Sequence, residues 1–115
     1  MKSLSILFFL IFFQISNAQN IVVSEKERAE KQFEIDVKNN HLKIYVQGGI
    51  VSAIKKEDVD FAEKHGFYYH EFGCLAPANR DYYEHYNQLV FIHLTQKFGT
   101  EWKSQVSESS IGFKV

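Results

Sequence analysis

Three stretches decide the fold: Leu42-Lys43-Ile44-Tyr45-Val46, then Glu57-Asp58-Val59-Asp60-Phe61-Ala62-Glu63-Lys64-His65-Gly66, then Phe67-Tyr68-Tyr69-His70-Glu71-Phe72. Leu42, Ile44 and Val46 recur with the period of two expected of a strand, and Gly48-Gly49 ends it. Residues Ile50 to Ile54 either prolong that strand or form a short second one. From Glu57 to His65 the acids crowd the start and Lys64 and His65 the end, the charge order that a helix dipole favours. Gly66 supplies the left-handed stop. The aromatic run that follows predicts another strand. Strand, helix and strand in this order imply a parallel pair with a right-handed crossover.

Upstream, Ser24-Glu25-Lys26-Glu27 has the Ser-x-x-Glu form of a capping box, and Ala29, Phe33 and Val37 recur every four residues. These predict a helix over about residues 24–38 that ends near Asn39-Asn40, where Asn tolerates the left-handed cap. A β-hairpin is the alternative, because Phe33, Ile35 and Val37 also alternate with acids. The capping signal and the Glu, Lys and Ala content favour the helix.

Downstream, Ala76-Pro77-Ala78 makes a turn and Asn79 is a good N-cap for a long helix running to Phe98. Tyr82, Tyr86, Leu89, Val90, His93, Leu94 and Phe98 give it a broad apolar stripe, enough to cover one sheet face. Gly99 breaks it. Thr100 caps a last helix to about Val106, anchored by Trp102, and residues 107–115 read as a loosely held tail. The expected fold is therefore α/β: one small domain with a two- to three-stranded sheet, a parallel βαβ unit and three to four packed helices.

The chain has 115 residues, 45% apolar and 16% aromatic, which suits one folded domain and leaves no room for a second core. Its start reads as an address. Met1-Lys2-Ser3 is basic, Leu4 to Phe13 is apolar except for Ser5, and Ser16-Asn17-Ala18 offers small residues for cleavage between Ala18 and Gln19. A ten-residue helix rises only ~15 Å against a ~30 Å hydrocarbon layer, so a signal peptide is favoured over a membrane anchor. The expected mature domain is residues 19–115, with its core over about 42–106, exported to the periplasm or beyond. Once the leader is removed, no membrane span is expected.

Thirteen basic against fourteen acidic residues leave a net charge of −1, which argues against a nucleic-acid partner. One cysteine, Cys74, excludes an internal disulfide and any structural zinc site of the two-cysteine type. Gly48-Gly49 lacks both the dinucleotide-fold and P-loop patterns, so it reads as a turn, and no cofactor is implied. His65, His70 and Cys74 fall within ten residues, but His70 to Cys74 spans ~13 Å along an extended strand, too far for one metal ion. Cys–His catalysis would need His85 or His93 to approach Cys74. His85 belongs with the polar side of the long helix, and His93 within the apolar stripe as a hydrogen-bonded core residue. Burial as a small apolar side chain is the expected state of Cys74.

In combination, Phe61-Ala62-Glu63-Lys64-His65-Gly66, Tyr69-His70-Glu71-Phe72-Gly73-Cys74, Tyr86-Asn87 and Phe98-Gly99-Thr100-Glu101-Trp102 resemble the FEKKY-domain proteins, small exported proteins of Bacteroidota-type bacteria. The eponymous motif is matched at Phe61 and Lys64 and departs at Ala62, Glu63 and His65. The resemblance implies export and a single domain and brings no activity with it. It also directs attention to Asn87 as a partly buried amide tying the long helix to the loop around Cys74, because burial of such a group requires partners.

These readings converge on a non-catalytic binding module for a protein or small-molecule ligand, with Cys74, His70, Tyr86 and Asn87 as candidate binding residues and no catalytic or metal-ligating set. The alternative is a Cys/His-dependent enzyme or metal-binding protein centred on Cys74 with His70 or His93.

Overall fold

The computed structural model describes residues 23–114, so the expected signal peptide and its expected Ala18–Gln19 cleavage position lie outside the described residues. In chain order the elements are α1 (Glu25–Asn39), β1 (Lys43–Val46), α2 (Lys56–His65), β2 (Tyr68–Glu71) and α3 (Arg80–Phe98), then a 3-10 turn (Glu101–Ser104). The architecture is mixed α/β, with three helices around a two-stranded parallel sheet.

Helix α1 forms as the capping signal dictates, and the hairpin does not. Ser24 Oγ accepts the Glu27 N–H at 3.2 Å, and Asn40 takes the left-handed conformation at φ 57°. The inward face passes through Ala29, Phe33 and Asp36 rather than Val37, which is 37% exposed. A strict step of four drifts around the helix, and a step of three corrects it. That correction buries a carboxylate.

Strand β1 is the buried strand and β2 the edge one. They pair from Lys43↔Tyr68 to Val46↔Glu71, and the Leu42 and Val46 carbonyls accept the Tyr68 and Phe72 amides. Main-chain groups on the other edge of β1 also need partners. The Gln47 N–H donates to the Ser109 carbonyl, and the Tyr45 carbonyl accepts the Ile111 N–H, both at 3.0 Å. Val46 and Ser110 form an antiparallel bridge. Residues 107–113 are therefore not the loose tail expected: Ser110 and Ile111 are buried, and Phe113 packs against the core. The apolar residues Ile111 and Phe113 bury where β1 would otherwise present an open edge.

No strand forms over residues 50–54. Instead the Glu71 carboxylate accepts hydrogen bonds from the Ser52 hydroxyl and the Ala53 N–H, holding this loop to the end of β2. A Cβ at Gly48 would sit 2.7 Å from Glu71 Oε2, so glycine lets that side chain close over the loop.

Helix α2 starts with the Lys55 N–H donating to Asp58 Oδ2 at 2.9 Å and stops at Gly66, φ 77°. It buries Phe61 and Ala62, and Phe61 meets Phe67 edge-on at 5.8 Å. Helix α3 is buried at Tyr86, Asn87, Val90, Phe91 and Leu94, while Phe98 is exposed. Phe91 lies outside the expected stripe because α3 is covered on a second side by Trp102 and Phe113. His93 is half-buried with its ring edge on Phe33, and burial holds its imidazole below the ordinary range, with Lys97 adding to the effect. No hydrogen bond to it forms among the described residues. After Gly99 a 3-10 turn replaces the expected last helix, and Trp102 is its buried anchor.

Candidate functional site

The four predicted site residues do not share one site. Cys74 is exposed, contrary to the expected burial. The strand ends at Glu71, and Gly73 at φ 85° turns the chain outward, so Cys74 and the 83%-exposed Leu75 fall in a surface loop. His70 lies before that turn, its ring against Tyr45 at 5.3 Å and Phe72 at 5.0 Å. Tyr86 and Asn87 are completely buried.

Asn87 does not reach the Cys74 loop. Its Oδ1 accepts the Tyr45 N–H at 2.9 Å, and its Nδ2 donates to the Tyr45 and Ile111 carbonyls at 2.8 and 2.9 Å. It pins α3 to β1 and to the C-terminal segment. Tyr86 donates its hydroxyl to Asp36 Oδ2 at 2.6 Å, and the same carboxylate accepts from Gln32 and pairs with Lys43 at 3.2 Å. Burial pushes the Asp36 pKa up, but these three partners outweigh it and hold the carboxyl below its ordinary value. Burial and the adjacent carboxylate push the Tyr86 hydroxyl strongly up, so it stays a donor. Both residues shape the interior and touch no open surface. No group of three or more His, Cys, Asp or Glu placed to hold a metal ion occurs among the described residues.

The best-formed concavity lies elsewhere, between the outer side of α3 and the chain around Trp102 and Phe113. Its volume is about 730 Å³. Three rings form its floor: Phe91 stacks on Trp102 at 5.4 Å with an 18° interplanar angle, and Phe113 meets Phe91 edge-on at 5.7 Å. The indole N–H donates to Thr95 Oγ1 at 3.1 Å, while that hydroxyl donates to the Phe91 carbonyl, so the Trp102 plane is fixed. Ile92, 54% exposed, gives the wall an apolar edge. Asp81, Glu84 and His85 border one part of the rim, and Lys103 and Lys114 also line the groove. Gln88 Nε2 donates to the Gly112 carbonyl at 2.9 Å, and a Cβ at Gly112 would lie 2.7 Å from Glu84 Cγ. Glycine at φ 76° thus lets the C-terminal segment come close enough to α3 to complete the floor.

Sequence reasoning missed this groove because it left residues 107–115 unpacked. Ile111-Gly112-Phe113, two apolar residues around a glycine, was the available signal. A rigid aromatic floor with a polar rim can hold an apolar body and orient its polar ends, and it presents no paired nucleophile and base. Among known proteins, the chain matches no family model, no curated protein and no solved structure.

Proposed function

We propose that this chain is a non-catalytic binding domain that works outside the cytosol and holds a small, largely apolar ligand in the groove over Phe91, Trp102 and Phe113. The observation that carries the reading is the groove itself. Its volume, about 730 Å³, falls within the roughly 300–1,000 Å³ of small-molecule sites, and Phe91, Ile92, Trp102 and Phe113 give it an apolar floor and wall inside a rim of polar and charged side chains. The leader-like segment and the resemblance to FEKKY-domain proteins support export. The exposure of Cys74, with the His70 ring packed against Tyr45 and Phe72 and the His93 ring against Phe33, weighs against a Cys–His enzyme as the leading reading.

Trp102 is the single tryptophan of the chain, so its fluorescence reports directly on the groove. Titration with uncharged N-phenylnaphthylamine should give saturable probe emission with quenching of Trp102. Ile92→Glu, at an exposed position on the groove wall, should abolish both without lowering thermal stability. Unsaturable probe binding, or equal binding by Ile92→Glu, would sink the proposal.

A further inference from the structure

A second, smaller cavity of about 430 Å³ opens where α1, β1, β2 and the start of α3 meet, away from the groove. Its chemistry is the opposite of the groove's. The cationic side chains are Arg28 and Lys43, the rings are Tyr45, Tyr82 and Tyr83, the amides are Gln32 and Asn79, and His70 closes one side. No carboxylate lines it. The nearby Asp36 is 4% exposed and already engaged by Gln32, Tyr86 and Lys43, so it presents nothing to an incoming group. Glu25 takes one guanidinium nitrogen of Arg28 at 3.0 Å and leaves the others free.

The rings form a built wall. Tyr45 is 7% exposed, held edge-on by Tyr83 at 4.5 Å and by His70 at 5.3 Å, and Tyr82 stands perpendicular to Tyr83 at 5.0 Å. Arg28 lies over the Tyr82 ring at 5.7 Å, which places its charge beside the slot between rings. The hydroxyls of Tyr45, Tyr82 and Tyr83 have no hydrogen-bond partner among the described residues. The cavity is therefore mainly polar, with two cations and three hydroxyls as donors, two amide side chains and no carboxylate, and tyrosine rings in its wall. Such a lining selects a ligand that brings acceptors and negative charge on a planar body.

We propose that this cavity is a second ligand site, for a small aromatic carboxylate. The carboxylate lies against the free edge of Arg28 and the tyrosine hydroxyls, and the ring stacks within the Tyr45, Tyr83 and His70 wall. The site is independent of the groove, so either can fail without the other.

The test is a titration of the purified chain with benzoate, acetate and benzylamine, followed by amide NMR shifts. Benzoate should give saturable shifts centred on Tyr45, His70 and Tyr83 while the Trp102 indole signal stays still. Acetate, which lacks the ring, should bind at least about tenfold more weakly, and benzylamine should leave these signals unmoved. Arg28→Gln should weaken benzoate by about tenfold, the loss expected for one charge-assisted hydrogen bond, with the thermal midpoint unchanged because the side chain is exposed. Benzylamine shifting the same amides, acetate matching benzoate, or Arg28→Gln binding as tightly as wild type would each overturn the proposal. So would benzoate shifts centred on Trp102.

Discussion

Asn87 hydrogen-bonds both main-chain groups of Tyr45, accepting its N–H at 2.9 Å and donating to its carbonyl at 2.8 Å. One amide side chain thereby does what a neighbouring strand would do for that residue, at a position with no exposure at all. Its remaining N–H goes to the Ile111 carbonyl, so three segments distant in sequence meet on one side chain. Asn87→Ala should lose at least ~3 kcal/mol, because it leaves buried main-chain groups without partners. Asn87→Asp should cost about as much near neutral pH, since a carboxylate cannot donate to either carbonyl. Urea unfolding of both variants measures this, and a loss under ~1 kcal/mol would contradict the role assigned to Asn87.

The Asp36 carboxylate gives stability a definite pH dependence. Burial raises its pKa, but the Tyr86 hydroxyl, the Gln32 amide and the Lys43 ammonium together bring it below 3.8. A group depressed in the folded state stabilises above its unfolded pKa, near 4, and that contribution fades as pH falls through the lower folded value. Asp36→Asn should therefore remove part of the acid limb of the stability curve, bringing variant and wild type closer below about pH 4 than at pH 6. Tyr86→Phe should cost ~1.5–3 kcal/mol near pH 6, the range for a hydrogen bond to a charged group. Chemical denaturation across pH reads both, and parallel curves for Asp36→Asn and wild type would refute the assignment.

Local signals were legible wherever one residue type solves one local problem. Ser24 as a cap, Asn40 and Gly66 as left-handed stops, and the acid-to-base order of α2 all lie where the sequence placed them. The parallel βαβ core followed from the same logic. Contacts spanning long stretches of chain were not legible. Periodicity at Ala29 and Phe33 could not choose Asp36 over Val37, because the choice depends on Tyr86, fifty residues away. Asn87 was visible as a polar residue in an apolar helix, but its partners lie on β1 and beyond residue 107. The groove depends on that same C-terminal packing, so losing sight of one lost the other.

The segment after Val106 should behave as a structural element. Ile111 is 2% exposed, its N–H donates to Tyr45, and Phe113 completes the ring cluster over Trp102. Ile111→Ala should cost ~2–5 kcal/mol, the range for a truncated core side chain. Removing residues 107–115 should cost more, because Tyr45 and Gln47 lose partners as well. Calorimetry gives the stability change, and a red shift of Trp102 emission reports the opened cluster. A truncated chain melting at the wild-type temperature would return this segment to the status of a tail.

Cys74 tests the contrast between binding domain and enzyme most directly. The thiol is exposed in the loop beyond Gly73. An aromatic disulfide reagent should therefore modify it fully in the native protein, at a rate within about threefold of the urea-unfolded chain. A hyper-reactive thiol, faster when folded than when unfolded, would mean that the fold activates the sulfur and would revive the enzyme reading. A silent thiol would mean that the loop buries it. Cys74→Ser should leave stability within about 0.5 kcal/mol of wild type, because no core packing depends on that side chain. It should also leave Trp102 quenching by N-phenylnaphthylamine intact, since Cys74 does not line the groove. Loss of that quenching in Cys74→Ser would tie the loop to the groove and contradict the separation of the two regions.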